Sequence, residues 1–293
     1  MSQIIKKHKI LLQDEDTNTV YFSSRLPEKC PTLNAKITEV LQSHGIPYHY
    51  LTETNDIWCR DFMPIQIEKD RFVFYTYTPD YLQGSYYYRR TQTDPEKVFN
   101  AEENYLGDLL KYRKDLELVL DGGNVVKCGD TVVMTDKIFV ENKGKTPAEV
   151  ERILRDAFQC EILFLPWDRE DEFGHSDGIV HYAGDGKILL TNYQDFSKYF
   201  YYRFRKVLDK KFEVITLKYN VKRHYKDSWC YINFLQVGNL VLVPQLGTEE
   251  DSQALEQIQN ALPHCEVVGI PSKEAVGKGG ALNCISWNIA KNV

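Results

Sequence analysis

The apolar residues of this chain follow two spacings, and the two alternate from one end to the other. Where they recur every three or four positions, an amphipathic helix is indicated; where they alternate or form short runs, a strand is indicated. The order of these segments repeats: a helix, a short strand, a turn rich in glycine or aspartate, and a hairpin. The pattern predicts an α/β protein built from similar units, although the units share negligible sequence identity.

Five helices are predicted, and the third has the clearest boundaries. Thr146 is placed as its N-cap, Pro147 lies in the first turn, and Glu149 completes a capping box. The first helix ends at Gly45, which suits a helix C-terminus. The predicted helices lie within residues 33–45, 95–112, 146–158, 197–210 and 251–262.

A hairpin is predicted at the start of the chain, with strands at residues 8–13 and 19–23. Four later hairpins each follow a turn, whereas the last turn is followed by a single strand, residues 285–289. We expect the N-terminal hairpin to supply the missing partner. The remaining predicted strands are 46–51, 65–67, 71–77, 116–120, 125–127, 131–135, 162–165, 213–217, 231–236, 239–244 and 266–270, with a further hairpin turning at 184–186.

The five turns recur at nearly even spacing. They are centred on Asp61, Gly122, His175, Cys230 and Cys284, so successive gaps are 61, 53, 55 and 54 residues. This predicts one domain, residues 1–293, folded as a closed five-bladed α/β propeller with pseudo-fivefold symmetry and all five turns at its centre. An ordinary open α/β sheet also alternates helices and strands, so periodicity alone leaves both arrangements open.

Composition narrows the class of protein. The chain has 293 residues, is 43% hydrophobic and carries a net charge of −6, which favours a globular protein and argues against nucleic-acid binding. Its seven cysteines include no Cys-x-x-Cys pair, so neither a disulfide framework nor a zinc site is expected. No signal peptide or membrane span is recognisable, and we expect a cytoplasmic protein with no membrane partner.

Three of the five turns carry reactive side chains: Asp61, His175 with Asp177, and Cys284, which follows a Gly279-Gly280 pair. A closed ring would bring together a thiol, an imidazole and two carboxylates. Carboxylates accept paired hydrogen bonds from a planar cation such as guanidinium, and a thiolate can attack its central carbon. Each residue also has a structural interpretation, such as an ion pair of Asp61 with Arg60 or a buried structural cysteine.

The same turns carry a family resemblance. Residues 55–61 (Asn-Asp-Ile-Trp-Cys-Arg-Asp), 122–124 (Gly-Gly-Asn), 174–178 (Gly-His-Ser-Asp-Gly) and 279–284 (Gly-Gly-Ala-Leu-Asn-Cys) are similar to four signatures of the agmatine deiminase and bacterial-type peptidylarginine deiminase family. Residues 231–234 and 243–245 resemble its fourth repeat. The match runs in order from about residue 50 to the C-terminus. Members of this guanidino-group-modifying superfamily fold as five-bladed propellers.

The resemblance implies a role for each motif residue. Cys284 would be the nucleophile and His175 the general acid and base, while Asp61 and Asp177 would bind the guanidinium nitrogens. Asp121 and Trp58 would contribute to substrate binding. The implied reaction is hydrolysis of a guanidinium to a ureido group with release of ammonia, through a covalent amidino-cysteine intermediate. It requires neither a metal nor an organic cofactor, and its partner is a small cationic guanidine.

Two departures leave the substrate open. Met63 stands where the family usually has glycine, and Asn283 stands where agmatine deiminases usually have histidine. We expect agmatine, giving N-carbamoylputrescine, with free arginine or peptidylarginine as alternatives. The residues are also compatible with a cysteine-dependent amidase or amidinotransferase, with a metal hydrolase built on His175, and with a non-catalytic propeller that binds cations. The oligomeric state is left open, a homodimer being one option.

Overall fold

The structure, a computed structural model, describes residues 9–102 and 113–291. Fifteen strands within these residues form five sheets of three strands each. In chain order the strands are β1 Thr19–Ser23, β2 Tyr48–Leu51, β3 Ile65–Glu68, β4 Arg71–Thr76, β5 Arg113–Val119, β6 Val126–Cys128, β7 Thr131–Thr135, β8 Glu161–Leu165, β9 Val180–Tyr182, β10 Lys187–Leu190, β11 Glu213–Thr216, β12 Leu235–Val237, β13 Leu240–Gln245, β14 Glu266–Pro271 and β15 Ser286–Ile289.

All five sheets are paired in the same way. The central strand is antiparallel to one neighbour and parallel to the other. In four sheets the strands are consecutive: β3-β4-β5, β6-β7-β8, β9-β10-β11 and β12-β13-β14. The remaining sheet has the order β15-β1-β2, so the last strand completes the sheet that the first strand begins. The predicted α/β class and its repeating hairpin unit are therefore confirmed.

The predicted N-terminal hairpin is wrong in its first strand. β1 forms as predicted, but residues 9–13 are not part of a strand, and residue 8 lies outside the described part of the chain. The amide of Leu11 donates to the Gly129 carbonyl (2.9 Å), while that of Leu12 donates to the Ile67 carbonyl (3.0 Å). The segment thus bonds to two other sheets, and β1 alone pairs with β15.

Eleven α-helices are found in the described residues: α1 Leu26–Lys29, α2 Pro31–Ser43, α3 Cys59–Phe62, α4 Asp80–Gln83, α5 Tyr86–Arg89, α6 Pro95–Ala101, α7 Lys137–Glu141, α8 Pro147–Phe158, α9 Lys198–Leu208, α10 Glu250–Ala261 and α11 Lys273–Val276. The capping box that precedes α8 is formed as predicted. None of these helices combines the length and the apolar character needed to cross a lipid bilayer.

Two predicted boundaries need correction. The helix predicted for residues 95–112 is seen as α6, and residues 103–112 lie outside the described ranges. The single strand predicted for residues 231–236 is too long, because Tyr231 and Ile232 belong to a 3₁₀ turn, Ser228–Ile232, and β12 begins at Leu235. The Asn233 amide donates to the Cys230 carbonyl and so extends the turn.

Buried apolar clusters fix neighbouring sheets to one another. One cluster contains Val20 of β1, Leu33 of α2 and Leu242 of β13, all fully buried, and so joins the first sheet to the sheet that contains β13. Leu282 and Ile285, on either side of the last turn, pack into the same cluster. The position of Cys284 is consequently set by the core on both sides of it.

Candidate active site

The five turns contact one another in a closed circuit of hydrogen bonds. Each turn is linked to the next, and the last is linked to the first. The links are Gly123 N–H to Asp61 Oδ1 (3.1 Å), His175 Nε2 to Asp121 Oδ2 (3.0 Å), Asn233 Nδ2 to the Asp177 carbonyl (3.3 Å), Asn283 N–H to the Asn233 carbonyl (3.1 Å) and Arg60 N–H to the Cys284 carbonyl (3.1 Å). Residues far apart in sequence thereby share one buried cluster.

His175 lies between two carboxylates. Its Nε2 is 3.0 Å from Asp121 Oδ2 and its Nδ1 is 3.6 Å from Asp61 Oδ1, with the residue only 8% exposed. Burial acts to lower the pKa of His175, but the charges of Asp61, Asp121 and Asp177 outweigh it and raise the pKa to about 10. At neutral pH the side chain is therefore an imidazolium that can donate a proton.

Asp61 is the carboxyl group whose ionisation is most opposed by its surroundings. Burial raises its pKa, the His175 cation lowers it, and Asp121 and Asp177 raise it again, giving a pKa of about 7. The Gly123 amide stabilises the carboxylate from one side. A second cation entering the cluster would favour full ionisation of Asp61.

Cys284 is 8% exposed, and its thiol donates to Asp177 Oδ2 at 3.6 Å. Burial raises the pKa of this thiol well above its usual value, and the charges of Asp177 and Asp61 raise it further. The group is consequently a thiol until a positive charge arrives beside it.

Two asparagines hold Asp177 and Cys284 in place. Asn283 Nδ2 donates to Asp177 Oδ2 at 2.7 Å, and Asn233 Oδ1 accepts the Cys284 amide at 3.3 Å. The sequence predicts no role for either side chain. Their only signal is position, because Asn233 follows the fourth turn and Asn283 directly precedes the cysteine.

One buried oxygen in the cluster has no hydrogen-bond partner among the described residues. Asp121 is 1% exposed, yet only its Oδ2 is bonded, to His175, while Oδ1 has no donor. Because unpaired buried polar atoms are rare in folded proteins, this oxygen indicates a place for a ligand donor or an ordered water.

Glycines let the second turn approach the cluster. A Cβ on Gly122 would lie 2.0 Å from the Arg60 carbonyl oxygen, and one on Gly123 would lie 2.6 Å from His175 Nδ1. The Gly-Gly sequence is therefore required by close packing, since any side chain here would displace the imidazole or the neighbouring turn.

Half-buried aromatic side chains lie beside the cluster. Phe173 and Tyr81 meet edge to face at 5.0 Å, and their rings lie 6.1 and 6.3 Å from that of His175. Trp58 packs so closely on Gly280 that a Cβ there would meet its ring at 2.3 Å. We call Trp58, Tyr81 and Phe173 the aromatic rim.

The residues predicted from the sequence are thus largely brought together. Asp61, His175, Asp177 and Cys284 are all buried in one cluster, with Asp121 as a further direct partner of His175. Trp58, predicted to bind substrate, lies against the glycine pair that precedes the cysteine rather than against His175. The arrangement places a thiol and three carboxyl groups around the His175 imidazolium.

A metal hydrolase, which the sequence leaves open, requires ligands that converge on one point. Within residues 9–102 and 113–291, no three or more His, Cys, Asp and Glu side chains form a group that could hold a metal ion.

Comparison with protein families gives one match over nearly the whole chain. Residues 10–289 match the family described as Porphyromonas-type peptidyl-arginine deiminase. A putative agmatine deiminase of Enterococcus faecalis is 27% identical over 281 residues, covering 81% of this chain and 75% of that protein. The agmatine deiminase of Pseudomonas aeruginosa is 25% identical over 278 residues, covering 80% of this chain and 74% of its own length.

Solved structures show the same fold. The agmatine deiminase of C. jejuni with substrate bound superposes with a TM-score of 0.76 at 17% identity, covering 100% of both chains. The agmatine deiminase of Enterococcus faecalis gives 0.72 at 20% identity, also over 100% of both chains. A dimethylarginine dimethylaminohydrolase gives 0.60 at 12% identity, over 93% of this chain and 99% of that one.

Proposed function

Because the chain belongs to the Porphyromonas-type peptidyl-arginine deiminase family, we propose that it hydrolyses a guanidinium group to a ureido group and releases ammonia. Cys284 is the nucleophile, His175 the general acid and base, and Asp61 and Asp177 bind the guanidinium nitrogens. Asp121 orients His175 and offers its free oxygen to the substrate.

The charge imbalance of the cluster carries this proposal. Three buried carboxyl groups surround one imidazolium, so the site favours one more positive charge. A planar guanidinium supplies that charge together with several N–H donors, which suits carboxylates better than a spherical ammonium does. It also offers an electron-poor carbon to the sulfur atom.

The first half of the reaction forms a bond between sulfur and carbon. Binding of the cation beside Cys284 lowers the pKa of the thiol, and its proton passes to solvent. The thiolate attacks the guanidinium carbon and gives a tetrahedral adduct. His175, protonated in the free site, donates its proton to the departing nitrogen, which leaves as ammonia. An amidino-thioether on Cys284 remains.

The second half uses the now neutral His175 as a base. It takes a proton from water, and the resulting hydroxide attacks the same carbon. The hydroxyl proton of this adduct passes to the sulfur as the bond between carbon and sulfur breaks. The ureido product is released, Cys284 is again a thiol and His175 is again an imidazolium. One water is consumed and one ammonia is formed, so no metal or organic cofactor is needed to balance the reaction.

We propose agmatine as the substrate, because the agmatine deiminases are among the proteins to which this chain is similar. Lys137 lies behind Tyr81, with its Nζ 5.1 Å from the ring centroid, and is 1% exposed. Its ammonium lies 2.9 Å from Asp80 and 3.0 Å from Glu141, so its charge is already balanced. A substrate tail ending in a carboxylate would gain little from this lysine. Free arginine and peptidylarginine are the alternatives.

We also propose that the five sheets are the blades of one five-bladed propeller, with pseudo-fivefold symmetry and one domain spanning residues 1–293. The common pairing of the sheets, the return of β15 to β1 and the closed circuit of hydrogen bonds between the turns support this arrangement. The seven free thiols fit a reducing compartment such as the cytoplasm.

The test is a panel of guanidines, namely agmatine, arginine and an arginyl peptide, assayed for ureido product and ammonia. We expect turnover to be highest with agmatine and to fall by at least about 10³-fold in Cys284→Ser, since the nucleophile is lost. Cys265→Ser is the matched control, because Cys265 is a half-buried thiol outside the cluster. Near-normal ammonia release by Cys284→Ser would show that the sulfur is not the nucleophile.

A further inference from the structure

A cavity adjoins the cluster. This cavity of about 50 Å³, with polar and apolar walls in similar proportion, is lined at its inner end by Asp177 and Asn283, which also adjoin Cys284. Glu15, which is exposed, and Gly184, which is half-buried, lie at its outer end. We call this space the rear cavity. None of the aromatic rim residues contributes to its walls.

The lining of the rear cavity suits water. Gln13, Lys127 and Gln236 place amide and ammonium groups along it, and Asp14 lies 3.9 Å from Lys127. A space of this size has room for about three or four water molecules, and these side chains offer them hydrogen-bond partners. The lining includes three carboxyl groups, those of Asp14, Glu15 and Asp177, and two cationic groups, those of Arg60 and Lys127.

The second half of the proposed reaction requires a route by which water reaches the amidino-thioether. The nitrogen that leaves as ammonia is an unsubstituted one, so the substrate tail stays attached to the amidino group on Cys284. In the proposed reaction the tail lies along the half-buried aromatic rim until hydrolysis is complete. Cys284 and His175 are each only 8% exposed even in the free site. The hydrolytic water must therefore arrive while the front of the site is occupied.

We propose that the rear cavity is a water-binding site that supplies the hydrolytic water to the amidino-thioether, past the wall formed by Asp177 and Asn283. This inference rests on the proposed function, because it concerns only the second half of that reaction. It assigns a task to Gln13, Lys127 and Gln236, which take no part in binding or attack on the guanidinium.

Ala183 allows the inference to be tested without touching the cluster. It is half-buried and lines the rear cavity, so Ala183→Val, Ala183→Leu and Ala183→Phe should fill the cavity to increasing extents. The matched control is Ala35→Leu, on the exposed face of α2. Thermal denaturation of each variant establishes that the fold is retained before kinetics are measured.

The series should slow only the second half of the reaction. We expect kcat and KM for the best guanidine to fall together, by several-fold in Ala183→Leu and further in Ala183→Phe, with kcat/KM unchanged. The reason is that kcat/KM reports the steps up to ammonia release, whereas kcat includes hydrolysis of the intermediate. Intact mass after rapid acid quench should show a larger fraction of Cys284 carrying the amidino group.

Two results would overturn the inference. One is a series in which kcat and the trapped fraction stay at the values of the unmodified protein. The other is a parallel fall of kcat and kcat/KM, which would mean that the first half was disturbed. Failure of the proposed function looks different, because the unmodified protein would then give neither ureido product nor trapped adduct.

Discussion

Replacing Gly123 with alanine should disable the cluster while sparing most of the fold. A Cβ at this position would lie 2.6 Å from His175 Nδ1 and 2.7 Å from Asp61 Oδ1. Ordinary contacts begin at 3.4 Å, so the imidazole must retreat by about 0.8 Å and the carboxylate by about 0.7 Å. The backbone itself tolerates alanine, because Gly123 is not among the positive-φ glycines.

These displacements should lower both the activity and the stability of the protein, by amounts that can be worked out separately. A misplacement of about 1 Å in a catalytic group costs about 10²-fold, so kcat/KM should fall by about 10- to 100-fold. Overpacking of this kind costs about 1–3 kcal/mol of unfolding free energy. For a chain of this size the melting temperature should fall by about 2–4 °C for each kcal/mol. The activity loss should therefore far exceed what partial unfolding explains.

The assay combines ammonia release, thermal denaturation and the rate of Cys284 alkylation by a haloacetamidine. Gly144→Ala is the matched control, since a Cβ there meets nothing within 4 Å, and it should leave all three readouts unchanged. If Gly123→Ala kept kcat/KM within about twofold of the unmodified protein, the contact between this turn and the His175–Asp61 pair would not govern catalysis.

Three further predictions concern single side chains. Asp121→Asn removes the negative charge that lies 3.0 Å from His175 Nε2, an interaction worth about 1.5–3 kcal/mol, so the pKa of His175 should drop from about 10 by about 1–2 units. NMR of ¹⁵N-histidine-labelled protein measures this pKa, with His175→Asn used to assign the signal. An unchanged pKa would show that Asp121 is not what raises it. Asp61→Asn should lower kcat/KM at least about 100-fold, yet raise the melting temperature at pH 8. The melting temperature should rise because the pKa of Asp61 increases from 3.8 to about 7 on folding, so ionisation of Asp61 destabilises the folded protein increasingly as pH rises through that window. The stability gained by Asp61→Asn should therefore shrink between pH 8 and pH 5. A variant less stable than the unmodified protein at pH 8 would refute this reasoning. Thr146→Ala deletes the capping box of α8 and should lower the free energy of unfolding, measured in urea, by about 1 kcal/mol, with kcat/KM unchanged. A change in kcat/KM would mean that the end of α8 affects the geometry of the cluster.

Sequence patterns identify the elements that carry their own signals. α8 is predictable because its cap, its first-turn proline and its apolar face all lie within the helix and the residue before it. α4, α5 and α7 escape prediction, because helices of four or five residues are too short for a 3.6-residue period to show. The strand predicted at residues 9–13 is wrong for another reason. The hydrogen-bond partners of this segment, Ile67 and Gly129, are far away in sequence, and no local pattern reveals them.

The candidate site residues also differ in whether the sequence around them carries a signal of their role. Asp61, His175 and Cys284 can be chosen from the sequence because they stand in the evenly spaced turns and in the motifs that resemble the deiminase family. Asn233 and Asn283 cannot, because an amide in a turn usually serves only its own backbone. Their contacts with Cys284 and Asp177 depend on two turns meeting, which is a property of the folded chain.

The charge balance of the cluster connects its selectivity to its reactivity. In the free site, burial raises the pKa of Asp61 to about 7 and raises that of the Cys284 thiol, and neighbouring carboxyl groups add to both shifts. The same groups outweigh burial at His175 and raise its pKa to about 10. A neutral ligand of the same shape would leave this balance unchanged and the sulfur protonated. The positive charge of a guanidinium favours an ionised Asp61 and a Cys284 thiolate. In the proposed reaction His175 meanwhile keeps the proton that the leaving nitrogen requires. In the proposed reaction the thiolate would therefore form only when the group that it attacks is present, and the buried carboxyl groups, at some cost in stability, make this dependence possible.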